Sequence, residues 1–303
     1  MEHYKDAYRS CHLCPRACGV DRTLGRTGYC RMPATVYAAR AALHMWEEPC
    51  ISGEQGSGAV FFSGCTLGCV FCQNHEIARG LSGKEISAGK LSDIFLDLQA
   101  KGANNINLVT PDHFAPDIAE AARLAREKGL TLPFVCNCSA YMSETAFDIF
   151  KDFIDIWLPD FKYMSPAIAG RYAKAPDYPA AAKKALLAMY RQCGDPVFDD
   201  EGMMRRGMIV RHLLLPGCLE DSKAVIRDLY ETFGDHIYIS IMNQFTPIAA
   251  SLTRFPELNR QVTEAEYEAL VDYAIDLGVE NGFIQEGSTV SESFIPAFDN
   301  TGI

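Results

Sequence analysis

From residue 58 onward, short apolar runs bounded by turn-forming residues alternate with longer stretches suited to helices. The first run, GAVFFSG (58–64), is apolar and aromatic between glycines and predicts a buried strand. INLVT (106–110), LPFVCN (132–137), IDIWLPD (154–160), GMIVRHLLLPG (207–217) and HIYISIMNQ (236–244) follow in the same style, and GFIQE (282–286) is a last short run. Helices are expected near 116–129, 143–152, 166–172, 179–193, 220–233 and 263–277. Six strands separated by helices predict an α/β fold of parallel βαβ units, which right-handed crossovers curl into a barrel or a doubly wound sheet. Residues 1–50 break the pattern, being rich in cysteine, arginine and glycine, and read as an extension ahead of a main unit over 51–303. FIPAFD (294–299) reads as a docked tail rather than a lid.

In a barrel or a doubly wound sheet, chemistry sits at the carboxyl ends of the strands. The polar and turn-forming residues fall there: Cys65 after the first run, TPDH after the second, NCSAY after the third, DFK, LPG and MNQ after the rest. They converge on one rim.

Composition narrows the function. At 303 residues and 48% apolar, the chain can bury the core of one main domain. A net charge of −11 disfavours a nucleic-acid partner, which needs a clustered positive field, and only MMRRGMIVRHLLLPG (203–217) is locally basic. No apolar run approaches a membrane span and the start lacks the apolar core of a signal peptide, so the expectation is a cytoplasmic protein with no membrane partner. Twelve cysteines in that compartment stay reduced and point to metal or catalysis. Seven fall in two groups, Cys11, Cys14, Cys18 and Cys30, then Cys65, Cys69 and Cys72; Cys50, Cys136, Cys138, Cys193 and Cys218 read as small buried hydrophobes.

The second group lies in SGCTLGCVFCQN (63–74). Zinc sites built from local cysteines pair one C-x2-C with a second some 12–20 residues on, whereas no cysteine follows Cys72 until Cys136. A cluster of four irons tolerates three protein ligands when something else coordinates the last iron. Cys65-x3-Cys69-x2-Cys72, with Phe71 before the last cysteine and the loop directly after the first strand, resembles the signature of the radical S-adenosylmethionine superfamily.

That resemblance implies a partial (β/α)6 barrel of the TIM type holding a [4Fe-4S] cluster on the three cysteines. It further implies that the fourth iron binds S-adenosylmethionine, cleaved to a 5′-deoxyadenosyl radical that abstracts hydrogen. The likeness is closest to pyruvate formate-lyase activating enzymes and their uncharacterised branch, the latter through WEEPCISG, FFSGCTLGCVFCQN and MNQFTP. It carries Asp160 and Lys162 of LPDFKYM to the cofactor's ribose and carboxylate, and Arg211 and Leu213 of VRHLLLPG to its carboxylate and adenine. Asn137 and Ser139 would line the cofactor side with Cys138, Phe71 would stand beside the cluster, and Gln244 with Asn243 would end the last strand near the adenosyl group. Where activases carry Gly-Gly-Glu, this chain has Thr110-Pro111-Asp112-His113, leaving the Thr110 and Pro111 carbonyls to accept from the ammonium. Asn137 stands where activases have aspartate. The implied partners are a flavodoxin or ferredoxin as electron donor and a glycyl-radical enzyme or other protein substrate. The alternatives are the same chemistry on a small molecule or peptide, a non-catalytic iron–sulfur electron carrier, and a zinc-stabilised interaction module.

CHLCPRACGVDRTLGRTGYC spaces Cys11, Cys14, Cys18 and Cys30 by two, three and eleven residues. Four soft ligands suit a closed zinc site or an auxiliary iron–sulfur cluster equally, and both stay open beside the plainer reading of four independent buried cysteines. Asp112 and His113 read either as an acid–base pair on the rim or as turn chemistry. Trp46, Glu47 and Glu48 read as the link between the extension and the barrel.

Overall fold

The structure is a computed structural model and describes residues 2–80, 82–247, 253–285 and 296–303. Its strands are β1 (Val36–His44), β2 (Ser57–Phe62), β3 (Lys84–Ile86), β4 (Ile106–Val109), β5 (Phe134–Cys138), β6 (Ile156–Pro159), β7 (Val197–Phe198), β8 (Met204–Leu213), β9 (Tyr238–Met242) and β10 (Gly282–Ile284). They form one sheet in the order β10-β9-β8-β6-β5-β4-β2-β1-β3, with β7 paired to β8 off that path. From β2 to β10 every neighbour along this order is parallel, whereas β1 runs antiparallel to both β2 and β3. The mostly parallel α/β architecture of a partial barrel is thus present. GFIQE contributes a seventh short parallel strand, β10, its Glu286 lying outside the described residues.

Helices cover the sheet between strands: α1 (Ala88–Ala100), α2 (Ala115–Glu127), α3 (Glu144–Phe150), α4 (Pro166–Ala173), α5 (Tyr178–Cys193), α6 (Leu219–Phe233) and α7 (Glu264–Leu277). Their starts are set locally. Ser87, Ser143 and Ser165 each accept from a backbone N–H of the first turn, and Thr263 and Glu266 form a reciprocal capping box on α7. β2, β4 and β6 are buried throughout, as strands covered on both faces must be. Phe95 of α1 meets Phe134 of β5 edge to face at 5.4 Å, and Phe147 of α3 stacks on Trp157 of β6 at 5.7 Å.

Two elements are additions to the sequence reading. α1 is not among the helices expected above, although Leu91, Ile94, Phe95 and Leu98 bury one stripe at helical spacing. The extension expected over 1–50 contributes β1 to the sheet, so the sheet begins well before residue 51. The tail packs on β1 and β2: Asn300 N donates to Ala39 O at 3.0 Å, Ala41 N donates to Thr301 O at 2.9 Å, and Phe298 meets Phe61 of β2 at 5.5 Å. Phe294 and Ile295 of the same segment lie outside the described residues.

Candidate active site

β2 ends in a tight turn at Gly64, whose φ of +85° suits glycine; a Cβ there would stand 2.4 Å from Met32 Cγ and 2.8 Å from Cys30 O. The amino-terminal segment therefore seats directly against the turn that launches Cys65. Arg16 pins the following loop, its guanidinium donating to the carbonyls of Thr66, Leu67, Ala173 and Lys174 while stacking 3.8 Å over the Tyr29 ring. Tyr29 Oη donates to Leu67 O at 3.2 Å. Held this way, the loop turns the backbone N–H groups of Leu67 and Gly68 onto Cys65 Sγ, each at 3.4 Å, and Tyr163 Oη donates to Cys69 Sγ at 3.7 Å.

Burial pushes all three loop thiols up, Cys69 to about 11 and Cys72 to about 12. Beyond burial, Cys72 feels the charges of Cys65 and Cys69, which places the three sulfurs in one electrostatic neighbourhood. Nearby, burial opposes the charge of Lys162, but Asp160 at 2.6 Å more than offsets it and the ammonium is held firmly protonated. The Tyr178 hydroxyl accepts from Lys162 N and lies within bonding distance of the Ser139 and Asp160 carbonyls, tying the ends of β5 and β6 together.

The three loop cysteines and most of the residues assigned above to the cofactor line one cavity of about 350 Å³, whereas Pro111 and Asn243 are not among its lining residues. Cys65, Cys69, Phe71 and Cys72 form one wall; Thr110, Asn137, Ser139, Asp160 and Lys162 come from the ends of β4 to β6; Arg211, Leu213 and Gln244 come from β8 and the end of β9. Thr110 (φ 58°) and Ala140 (φ 55°) take the left-handed conformation at the ends of β4 and β5, strain of the kind that gathers at binding sites. Ser139 Oγ is buried on this wall with no hydrogen-bond partner. Phe71 packs edge to face on Tyr163 and Phe245.

Three residues read as a link turn out to belong to the cavity. Trp46, Glu47 and Glu48 follow the end of β1, which pairs His44 with Ser57 at the start of β2. They therefore enter the barrel from the end opposite the cysteine loop and line the cavity's floor. Arg211 Nε donates to Glu48 Oε1 at 2.8 Å and Nη2 contacts both Glu47 and Glu48; Asn107 Nδ2 donates to Glu47 Oε1 at 2.7 Å. Burial opposes the Glu48 charge, yet Arg211 more than compensates and holds the carboxyl below its usual range. Arg211, carried above to the cofactor carboxylate, thus already spends its guanidinium on the floor. The adjacent acids of WEEP were the available signal, but nothing local in the sequence shows which way they face.

Asp112 and His113 lie in a 3-10 turn, fully buried and away from the cavity lining. His113 Nε2 meets Ser63 O at 2.7 Å, and both Asp112 oxygens lack partners. They support the turn at Gly64 and do not form a rim acid–base pair.

Of the amino-terminal cysteines, Cys11, Cys14 and Cys30 are buried and Cys18 is exposed. Burial pushes Cys14 up to about 12, with further contributions from Cys30, Cys11 and Cys18, so the four sulfurs share a neighbourhood. Among the described residues, no three or more His, Cys, Asp or Glu side chains are drawn into a ready-made metal cage. The donor chemistry of the loop nevertheless fits an iron–sulfur group: three soft, half-buried ligands open on a cavity with a cation and backbone N–H groups beside them.

A second cavity, about 590 Å³, lies on the other side of the loop, and Cys65, Cys69 and Cys72 line it too. Arg31, Arg79, Lys174 and Arg254 border it with no carboxylate among its lining residues. No helix of the described residues is long and apolar enough to cross a membrane.

The family model described as Radical SAM superfamily matches residues 59–194, from within β2 to just past α5. The uncharacterized protein MJ0674 of Methanocaldococcus jannaschii is 26% identical over 281 residues, 90% of this chain and 77% of its own. Streptococcus suis SuiB bound to S-adenosylmethionine superposes with a TM-score of 0.51 at 13% identity, over 75% of this chain and 49% of SuiB. Methylornithine synthase (PylB) superposes with a TM-score of 0.52 at 12% identity, over 73% of this chain and 60% of PylB. This chain thus spans about half the length of SuiB, and these likenesses are of fold.

Proposed function

From the match of residues 59–194 to the radical SAM superfamily model, we propose that this protein is an iron–sulfur enzyme of that kind, which reductively cleaves S-adenosylmethionine and abstracts hydrogen from a substrate. The observation that carries this reading is the convergence of the loop thiols and the polar strand ends on a single cavity. Cys65, Cys69 and Cys72 would hold a [4Fe-4S] cluster and leave one iron without a protein ligand. When bound, the cluster supplies the electron that cleaves the sulfonium. The chain's own part is to bind, orient and keep dry. The Lys162–Asp160 pair offers a charged donor and an acceptor for the cofactor's carboxylate and ribose, and Asn137 and the unpartnered Ser139 hydroxyl offer further hydrogen bonds. Thr110, left-handed at the rim, would aim its carbonyl at the ammonium, and Leu213 and Gln244 would flank the adenosyl group.

The finer, activase-like reading has a glycine of a partner enzyme as hydrogen donor and rests on the motif likeness alone. The four cations around the outer cavity, on a chain of net charge −11, support an acidic electron donor such as flavodoxin or ferredoxin approaching the loop from that side. For Cys11, Cys14, Cys18 and Cys30 we retain zinc or an auxiliary cluster as the ligand, supported by their shared electrostatic neighbourhood.

Anaerobically reconstituted protein, reduced in the presence of S-adenosylmethionine, is expected to release 5′-deoxyadenosine. A loaded cluster that yields none would discard the enzymatic reading. Deuterium appearing in 5′-deoxyadenosine from a labelled glycyl-radical enzyme would support the activase-like reading, and its absence would favour a small or peptide substrate.

A further inference from the structure

The cavity has two ends of different character. At the rim, Lys162 and Asp160 neutralise each other at 2.6 Å. At the floor, one guanidinium serves two carboxylates, and all three side chains are nearly or fully withdrawn from solvent: Glu47 6% exposed, Glu48 5% and Arg211 12%. His44, also on the lining, is pushed toward its neutral form by burial and adds no charge to offset them. Among the described residues the lining therefore carries three carboxylates against two cations, and the excess lies at the floor.

A structural role alone accounts poorly for this excess. One carboxylate would be enough to hold Arg211, and the turn after β1 is already fixed by Ser52, whose Oγ accepts from Glu47 N at 3.0 Å and donates to His44 O at 3.2 Å. A second buried carboxylate without its own counter-charge costs several kcal/mol unless something cationic offsets it. The surroundings suit a cation as well. Trp46, just past β1, lines the same end. The floor therefore holds a surplus carboxylate beside an aromatic side chain, while its guanidinium is spent.

We infer that the substrate carries a cationic group, an ammonium or guanidinium, that docks on the cavity floor against Glu47 and Glu48 and so orients the rest of the molecule toward the cysteine loop. The inference rests on the reading above that chemistry takes place in this cavity. It selects amines, basic amino acids or basic side chains of a peptide over anionic metabolites.

The test uses the purified full chain, with and without reconstitution, and saturation-transfer NMR at fixed ionic strength. The probes are n-butylguanidinium and n-butylammonium, with n-butylurea and butyrate as neutral and anionic controls. The two cations are expected to bind at least about tenfold more tightly than n-butylurea, the worth of one charge-assisted hydrogen-bonded contact. Glu47→Gln and Glu48→Gln are each expected to lower that preference to near unity. S-adenosylmethionine is expected to leave cation binding in place. Equal binding of urea and guanidinium, or a cation preference untouched in both variants, overturns the proposal. Mutual exclusion between the cations and S-adenosylmethionine also overturns it, by assigning the floor to the cofactor. If either variant fails to fold by circular dichroism, the comparison of probes on the unaltered chain still decides. Failure of S-adenosylmethionine cleavage would remove the enzymatic reading and leave these binding ratios to be judged separately.

Discussion

The two cysteine groups offer the same donor atom in opposite settings. Around the amino-terminal group, the chain closes into a joint. Arg22, 1% exposed, donates to the carbonyls of Met32, Pro33 and His113, approaches Cys11 Sγ at 3.8 Å and lies 4.6 Å over the Tyr8 ring. None of Cys11, Cys14, Cys18 and Cys30 borders either of the two cavities, whereas Cys65, Cys69 and Cys72 border both. The difference teaches that access, and not ligand type, separates a group suited to hold structure from one suited to exchange a ligand. The first group braces the second, since the segment after Cys30 packs against Gly64 and Arg16 clamps the loop carbonyls.

The comparison breaks most visibly by removing one thiol from each group. Cys69→Ala is expected to lower 5′-deoxyadenosine release to background, and Cys14→Ala to retain release while lowering the melting temperature. Abolition by Cys14→Ala with the loop's iron still present by spectroscopy would erase the distinction. Next in size is the joint itself. Arg22→Ala leaves three carbonyls without their donor and is expected to cost about 3–5 kcal/mol in urea unfolding. A cost below about 1 kcal/mol would show that the joint does not carry the load assigned to it.

Acid sharpens the contrast further. Burial holds His113 of the joint neutral, down to about 3, and His212 behind Lys162 down to about 4, against an ordinary value of 6.5. The unfolded chain then binds more protons than the folded one below pH 6.5, so stability falls as pH drops toward 4. Asp112 works the other way: burial pushes it up to about 7 from 3.8, so the folded state takes its proton first and gains as pH falls through that window. Two histidines against one carboxyl leave a net loss of about 3 kcal/mol between pH 6.5 and 4. Urea midpoints at the two pH values measure it, and Asp112→Asn is expected to steepen the fall. A flat profile in that variant would contradict the burial of both imidazoles.

The strands, most helices and the cysteine loop were legible because each is written in neighbouring residues: alternation of apolar runs with helical stretches, and three thiols within eight positions. Helix α1 carries an equally clear stripe but is not among the helices expected from the sequence. Strand β1 is different in kind. VYAARAALH is rich in alanine, and what makes it a strand is a pairing with β2 on one side and β3 on the other. Glu47 and Glu48 do connect β1 to β2, but their second place, in the cavity, was not legible because the group that turns them inward, Arg211, lies 164 and 163 positions away.

Sequence alone determined that this chain would build a parallel α/β scaffold and place three thiols at the mouth of its first βα unit, because periodicity and ligand spacing act over a few residues. Tertiary structure alone decided which residues close the other end of the cavity and what charge they leave there. That outcome depends on antiparallel β1 delivering two carboxylates to the start of β2 and on a single guanidinium from β8 meeting both, contacts between segments that share no local pattern.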